Sequence, residues 1–415
     1  MRRKTSSLER YMLFFGRQFP LNFGFQVTIS GAFNPDKARS VLVGLSKRHS
    51  ILFAHQEYTV GKQMDLVFDR VPDFPITERT ERGAWQEILL SCMIREFNPF
   101  TGPLFTLDWR ATGGTSELFF VFQHGASDGI AATYFIDDFL KLYAGLHVPI
   151  PDTPALPNLY DVLDEKLYAE LLTRPEPDWK KEEPPAPKPF EMPKYKAPEF
   201  YLRTFKLSGE GTARLASRAK EAGQTVHSWL GALIMKESAA IFGPESGMNR
   251  TIQCPVDFRQ YLKEEWRPIA GVYNGIVKAK LDCEKPLHEM ATAIKEGIQA
   301  SRAGAKDIED YFHFRDSFDG IEDPESLMMS FPPDPLDYDF SFSNLGRTVV
   351  AGAYGDVAVS EFYGPIFTSV NGETVIGLNT TAGALRMSLI FDRTIANAKK
   401  YEALGDRIEA VLGGL

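Results

Sequence analysis

Cysteine is scarce. Across 415 residues there are three, Cys92, Cys254 and Cys283, and no C-x-x-C spacing. That excludes a disulfide scaffold and a cysteine-based zinc site. It suits a reducing compartment, and a cytoplasmic location is expected. Long hydrophobic runs are also lacking. Nothing approaches the ~18–20 consecutive apolar residues that a membrane-spanning helix needs. The N-terminal MRRKTSSLERYMLFFGRQ has only a short apolar patch, Tyr11 to Phe15, bounded by Arg10 and Arg17. It has no small-residue cleavage pattern, so it reads as an ordered segment that packs its aromatics rather than as a signal peptide. Positive charge is in deficit: 46 Lys and Arg face 55 Asp and Glu, for a net charge of -9 and a pI near 5.5. A surface that tracks nucleic-acid phosphates needs clustered cations, so no nucleic-acid partner is expected.

What is present is an ordinary globular balance, 44% hydrophobic and 24% charged, with 31 Phe. That many phenylalanines suggests large apolar cores or an apolar cavity. The length allows two or three domains. One break in composition divides the chain. Between Arg174 and Phe200 stand Pro175, Pro177, Pro184, Pro185, Pro187, Pro189, Pro193 and Pro198. Proline fixes φ and removes a donor, so this stretch is expected to be extended, with a polyproline bias. The reading is an N-terminal subdomain over 1–173, a linker over 174–199 and a C-terminal subdomain over 200–415.

Both halves alternate strand and helix patterns. In the first, strands are expected over 21–33, 51–58, 64–68, 104–111 and 117–124, and helices over 36–49, 81–97 and 128–143. In the second, strands are expected over 200–206, 251–256, 271–281, 338–343, 356–362, 374–379 and 385–391. Helices are expected there over 212–222, 225–241, 287–301 and 394–412. The fold class is α/β with mixed sheets, and two such halves invite a site in the cleft between them.

The most informative stretch is FFVFQHGASDGI, Phe119 to Ile130. An apolar strand ends at His124, and a short loop leads to Asp128-Gly129 at a helix start. A histidine at a strand end, beside a loop, is well placed as a general base, because its pKa lies near working pH. Asp128 either orients that loop or caps the helix. Gly129 removes a side chain where a ligand approaches. The same residues read G-x-S-x-G around Ser127, the pattern of a nucleophile elbow. A hydrolase needs a later acid and then a late histidine, and the last one, His313, lies far from the end. No G-x-G-x-x-G, G-x-x-x-x-G-K-[ST] or H-E-x-x-H is present, so no metal site is assigned. His49 and His55 read as structural.

The chain resembles the superfamily of chloramphenicol acetyltransferase and the peptide-synthetase condensation domains, whose mark is HHxxxDG. Here that mark reads Gln123-His124-Gly125-Ala126-Ser127-Asp128-Gly129. Further segments in family order are similar: LSKRHSILFAH (45–55), FNPFTGPLFTLDW (97–109), DDFLKLYAG (137–145), CPVDFRQYL (254–262) and FSNLG (342–346). The resemblance implies two chloramphenicol acetyltransferase-like subdomains in a V-shaped pseudo-dimer, with the motif loop at the seam. It also implies a reaction: an acyl group passes from a thioester on CoA or on a carrier protein's phosphopantetheine to a hydroxyl or amine. His124 would be the base. Asp128 belongs to the same catalytic motif and would pair with Arg259 to hold the loop. Gly129 would leave room for the pantetheine arm. Asn344, Ser127 and Gln123 are the candidate substrate-binding residues.

Gln123 stands where the family has its first histidine, and FSNLG stands in place of the DFGWG of peptide-synthetase domains. The expectation is therefore a free-standing, monomeric acyltransferase that meets acyl-CoA or an acyl carrier protein in trans, without a bound cofactor, in secondary-metabolite or lipid biosynthesis. A catalytically silent protein that binds a carrier, and a hydrolase using Ser127, are the alternatives. Lys206, Arg214, Arg218 and Lys220 read first as a solvated helix face and second as candidate contacts for CoA phosphates. The stretch from Asp307 to Asp339 is either a wall of the acceptor entrance or a surface loop.

Overall fold

The computed structural model describes residues 1–16, 20–57, 64–69, 74, 76–176, 199–243, 250–313, 336–368, 372–395 and 397–414. Residues 177–198 of the expected linker and 314–335 of the acidic stretch lie outside the described residues.

Two six-stranded mixed sheets carry the fold. The first contains β2 (Asn22–Ser30), β5 (Ile76–Glu78), β6 (Phe105–Thr112), β7 (Thr115–Gln123), β12 (Ala353–Tyr354) and β13 (Val357–Phe367), in the order β12-β13-β2-β7-β6-β5. The second contains β8 (Phe200–Leu207), β9 (Thr251–Asp257), β10 (Asn274–Lys280), β11 (Phe340–Arg347), β14 (Val375–Thr381) and β15 (Ala384–Asp392), in the order β10-β9-β11-β14-β15-β8. A small third sheet joins β1 (Arg2–Lys4), β4 (Asp65–Val67) and β3 (His55–Glu57). The Pro-rich stretch does not separate every strand by half. β12 and β13 come from the C-terminal part of the chain, yet β13 runs antiparallel to β2, with Phe362 opposite Val27.

β7 explains how the central strand is built. Its side chains alternate between two faces, and both faces are covered. Leu118, Phe120 and Phe122 enter one core with Phe135 and Phe139 of the helix Gly129–Tyr143. Phe119 and Val121 enter another with Leu89 and Met93 of the helix Trp85–Met93. A strand buried on both sides reads as an unbroken apolar run, here FFVF. The second of these cores also holds Ile366, Val375 and Ile390, so the two sheets share packing.

Most elements form where the hydrophobic pattern puts them. The stretch 51–58 does not. Ser50–Phe53 is a 3₁₀ turn and, among the described residues of the stretch, only His55–Glu57 is strand. Ile51, Leu52, Phe53 and Ala54 are all buried, and a consecutive apolar run has no period with which to tell turn from strand. Among the described residues, no helix is long and apolar enough to cross a membrane.

Candidate active site

The helix Gly129–Tyr143 starts where it does because Asp128 caps it. The Asp128 backbone is extended, and its Oδ1 accepts the Ala131 N–H at 2.8 Å. The loop before it, residues 124–127, is short because β7 ends at Gln123. Gln123 is turned inward: its Nε2 donates to the Met12 carbonyl at 3.0 Å and its Oε1 accepts the Gly125 N–H at 2.5 Å. It ties the loop to the N-terminal helix Ser7–Phe15 and is not part of the cavity wall.

His124 is half-buried and packs against Phe23 and Phe367, both at 5.3 Å between ring centroids. Its Nδ1 lies 3.0 Å from the Ser127 carbonyl oxygen. A carbonyl only accepts, so in the neutral ring Nδ1 carries the proton and Nε2 is the basic nitrogen. Burial holds the imidazole below its usual pKa, and the Ser127 carbonyl and the Asp128 charge oppose that only in part. The ring is thus kept neutral near pH 7, the state a general base needs.

Asp128 is fully engaged. Besides the cap, its Oδ1 and Oδ2 accept from Arg259 Nη2 at 3.0 and 2.9 Å, and its Oδ2 accepts the Tyr273 N–H at 2.7 Å. Its own N–H donates to the Gly271 carbonyl at 3.1 Å. Arg259 completes the junction with Asp257 at 2.8 Å and the Arg267 carbonyl at 3.1 Å. The His49 ring stitches the same segment: its Nδ1 accepts the Ala270 N–H at 3.1 Å, and its Nε2 faces Asp138 at 3.0 Å. His49 is therefore structural.

Ser127 is buried, and its Oγ donates to the Asp128 carbonyl at 3.2 Å. His124 meets the backbone of Ser127 and not its hydroxyl, so the nucleophile–base contact of a hydrolase is not made. Ser127 and Gln123, grouped on sequence with the substrate-binding residues, are both packed away from the cavity. Burial pushes the Cys92 and Cys254 thiols up to about 12, which disfavours the thiolate at neutral pH.

The cavity at the seam measures about 730 Å³ and is lined by His124, Asp128, Gly129, Arg259 and Asn344. Asn344 is the last β11 residue before a break in the pairing with β14, which resumes with Arg347 opposite Thr380, and its Oδ1 accepts the Gly346 N–H at 2.7 Å. The N-terminal segment supplies an apolar side through Tyr11, Met12, Phe15 and Leu21. The second half supplies a polar side that the motifs did not reveal, through His227, Gln253, Asn274 and Glu373. Alternation in β9 carried part of that signal, since Ile252 and Cys254 are core while Gln253, Pro255 and Asp257 line the cavity. Burial lifts the Glu373 carboxyl to about 7, against hydrogen bonds from Tyr338 (2.8 Å) and Ser341.

The four cations Lys206, Arg214, Arg218 and Lys220 are exposed and lie away from the cavity, which agrees with a solvated face and not with CoA contacts. Lys206 pairs with Glu361 at 2.5 Å and Arg214 with Glu210 at 3.8 Å. Arg218 and Lys220 are exposed on the helix Gly209–Glu221. None of the four lines the cavity; Lys295 and Arg302 do. Apart from the cavity, His55, Glu57 and Asp69 bring ligand-type atoms within 4.8 Å of one another, but Arg2 already pairs with Glu57.

No protein-family model matches the chain, and no curated protein matches it. Solved structures do. The polyketide synthase associated protein 5 from Mycobacterium tuberculosis is 16% identical, with a TM-score of 0.67 over 99% of this chain and 98% of that one. The TRI3 trichothecene 15-O-acetyltransferase from Fusarium sporotrichioides is 11% identical, with a TM-score of 0.67 over 99% and 95%. The starter condensation domain of rhizomide synthetase RzmA, a mutant in complex with C8-CoA, is 14% identical, with a TM-score of 0.62 over 100% and 95%. With its two mixed sheets meeting around the His124 loop, the chain has the two-subdomain, chloramphenicol acetyltransferase-like fold of the condensation domains and their related acyltransferases.

Proposed function

We propose that the protein is an acyltransferase that moves an acyl group from a phosphopantetheine or CoA thioester to a hydroxyl or amine. The observation that carries this reading is the setting of His124, a neutral imidazole whose Nδ1 is held by the Ser127 carbonyl and whose ring lines the seam cavity. Nε2 takes the proton from the acceptor O–H or N–H as the acceptor's lone pair attacks the thioester carbonyl carbon. The tetrahedral adduct then collapses with cleavage of the C–S bond. The leaving thiolate recovers the proton from Nε2, so the histidine ends as it began.

The other residues position that base. Asp128 and Arg259 hold the loop at the seam, and neither is needed as a proton carrier. Asn344, with its Oδ1 occupied by Gly346, offers Nδ2 as a donor to the acceptor or to the oxygen that gains charge. The apolar side around Tyr11, Met12, Phe15 and Leu21 takes the acyl chain or an apolar acceptor. A trichothecene 15-O-acetyltransferase and a polyketide synthase associated protein among the fold neighbours support a role in secondary-metabolite or lipid biosynthesis.

The test is mass spectrometry of the protein incubated with a panel of acyl-CoA and acyl-carrier donors and with hydroxyl and amine acceptors. Wild type should give an acylated acceptor, and His124→Ala should lose about 100-fold or more in rate. Transfer at the parental rate in the variant would overturn the assignment.

A further inference from the structure

The start of β11 reads FSFSN, Phe340 to Asn344. The alternation divides its side chains between two faces. Phe340 and Phe342 bury in the core of the second half, while Ser341 and Ser343 line the cavity. Ser341 stands in register with Gln253 of β9 on one side and with Val375 of β14 on the other, and all three line the cavity. They form one neutral row across three strands. Glu373, two residues before Val375, lines the cavity beside that row and brings a carboxyl to it.

The transfer chemistry does not use this carboxyl, yet its surroundings hold it in place. Tyr338 Oη donates to its Oε1 at 2.8 Å, and the Ser341 hydroxyl is a second hydrogen-bond partner. Tyr338 is itself hydrogen-bonded to Gln253, and Lys278 Nζ lies 5.7 Å from the centroid of its ring. The charges around the row have other partners. Lys278 pairs with Asp337 at 2.7 Å, and Asp339 accepts the Thr251 N–H at 2.9 Å. The helix Leu287–Arg302 brings Lys295 and Arg302 to the cavity lining, and Lys295 donates to the Gly223 carbonyl at 2.7 Å. Burial lowers His227 to about 4, so that ring is neutral near pH 7. Burial also lifts Glu373 to about 7, against its two hydroxyl donors. Neutral donors orient a carboxylate without cancelling its charge, and a ligand cation beside it offsets the penalty of burial.

We infer that Glu373 selects the acceptor by holding an ammonium group, so that the acceptor carries a basic nitrogen apart from the hydroxyl or amine that reacts. The inference rests on the acyltransferase reading above and narrows its acceptor to a cationic one. The reacting group lies toward His124 and Asn344, and the ammonium lies on the row of Gln253, Ser341 and Glu373. The apolar side around Tyr11 and Phe15 is left to the acyl chain. The ammonium keeps its proton throughout, and His124 handles only the proton of the reacting group.

Calorimetric titration with aminohexanol, heptanol and hexanediol tests this, because the three differ only in ending on an ammonium, a methyl or a hydroxyl. Wild type should bind aminohexanol about tenfold or more tightly than either neutral probe. Glu373→Gln should bring that ratio close to one, and Glu373→Asp should restore part of it. The ammonium favours the ionised carboxylate, so binding at pH 7 should release about half a proton per ligand, read in buffers of different ionisation enthalpy. Glu373→Gln should abolish the release, and thermal melts of each variant separate misfolding from a lost charge. In turnover, kcat/KM for aminohexanol should show an acid limb near pH 7 that heptanol does not show. The inference is overturned if wild type binds aminohexanol no more tightly than the neutral probes, if the preference survives in Glu373→Gln, or if no proton is released. If charge-selective binding holds but no acyl donor is turned over, the ammonium site stands and the transfer reading fails. If transfer is equally fast to aminohexanol and heptanol and indifferent to Glu373, this inference alone fails.

Discussion

Asp128 and Arg259, 131 residues apart in the chain, close a two-pronged ion pair at 2.9 and 3.0 Å across the seam, each with a side chain only 5% exposed. The pair joins the N-terminus of the motif helix to the segment after β9, and it fixes the loop that presents His124. Removing one partner strands a buried charge. Arg259→Ala should therefore cost about 3–5 kcal/mol in chemical denaturation. Asp128→Ala loses the helix cap as well. Their double variant should cost clearly less than the sum, because the second substitution removes the charge that the first left unpaired. Additive losses would show that the two residues do not act as a unit.

Two glycines should respond very differently to a methyl group. A Cβ on Gly377 would fall well inside the van der Waals radius of the Pro365 carbonyl oxygen, where β13 of the first sheet crosses β14 of the second. Backbone cannot step aside there, so Gly377→Ala is expected to cost about 3 kcal/mol or more. A Cβ on Gly129 would lie 2.8 Å from Leu345 Cδ2 and 3.5 Å from Pro365 Cβ. A leucine methyl can rotate, so Gly129→Ala should cost about 1 kcal/mol, and Leu345→Ala in the same chain should relieve the strain. Paired urea melts check the order of the two effects.

The fold and the loop were legible for different reasons. FFVF before His124 reads as a strand buried on both faces, and Asp128-Gly129 reads as a capped helix start; both rest on local patterns. The pairing of Asp128 with Arg259 was reachable only through the family resemblance, because no local pattern joins residues so far apart. The return of β12 and β13 to the first sheet was not legible. A strand's pattern says which face is buried but not which sheet receives it. The polar wall escaped notice because His227, Asn274 and Glu373 each stand alone in sequence and meet only in the folded cavity. The cations Arg214, Arg218 and Lys220 sit on the exposed side of the helix Gly209–Glu221 and Lys206 sits exposed on β8, so nearness in sequence says nothing of nearness to the cavity.

Activity should fall on the acid side in a place set by His124. The base works only when neutral, and burial lowers its pKa from the ordinary value of 6.5. With a neutral acceptor, the acid limb of kcat/KM is then expected below pH 6.5, with a plateau through neutrality. A limb above pH 6.5 would mean that the ring is not held neutral by its surroundings. His227→Gln should leave the limb in place, because His227 lies in the polar wall of the cavity and carries no proton in the transfer.

Glu373 gives a stability signature of the opposite sign. Burial raises its carboxyl from 4.5 to about 7 in the folded protein. Between those values the folded state binds more protons than the unfolded state, so stability falls as pH rises through that window. His227 is lowered from 6.5 to about 4, which makes stability rise with pH over its own window. The two slopes oppose each other between about pH 4.5 and 6.5, and single variants separate them. Glu373→Gln keeps the shape and a hydrogen-bonding group without the charge, so it should melt higher than wild type at pH 8. That gain should shrink steadily and vanish near pH 4.5, where the wild-type carboxyl is protonated in the folded protein. A gain independent of pH would assign the effect to packing and remove the buried charge as its cause.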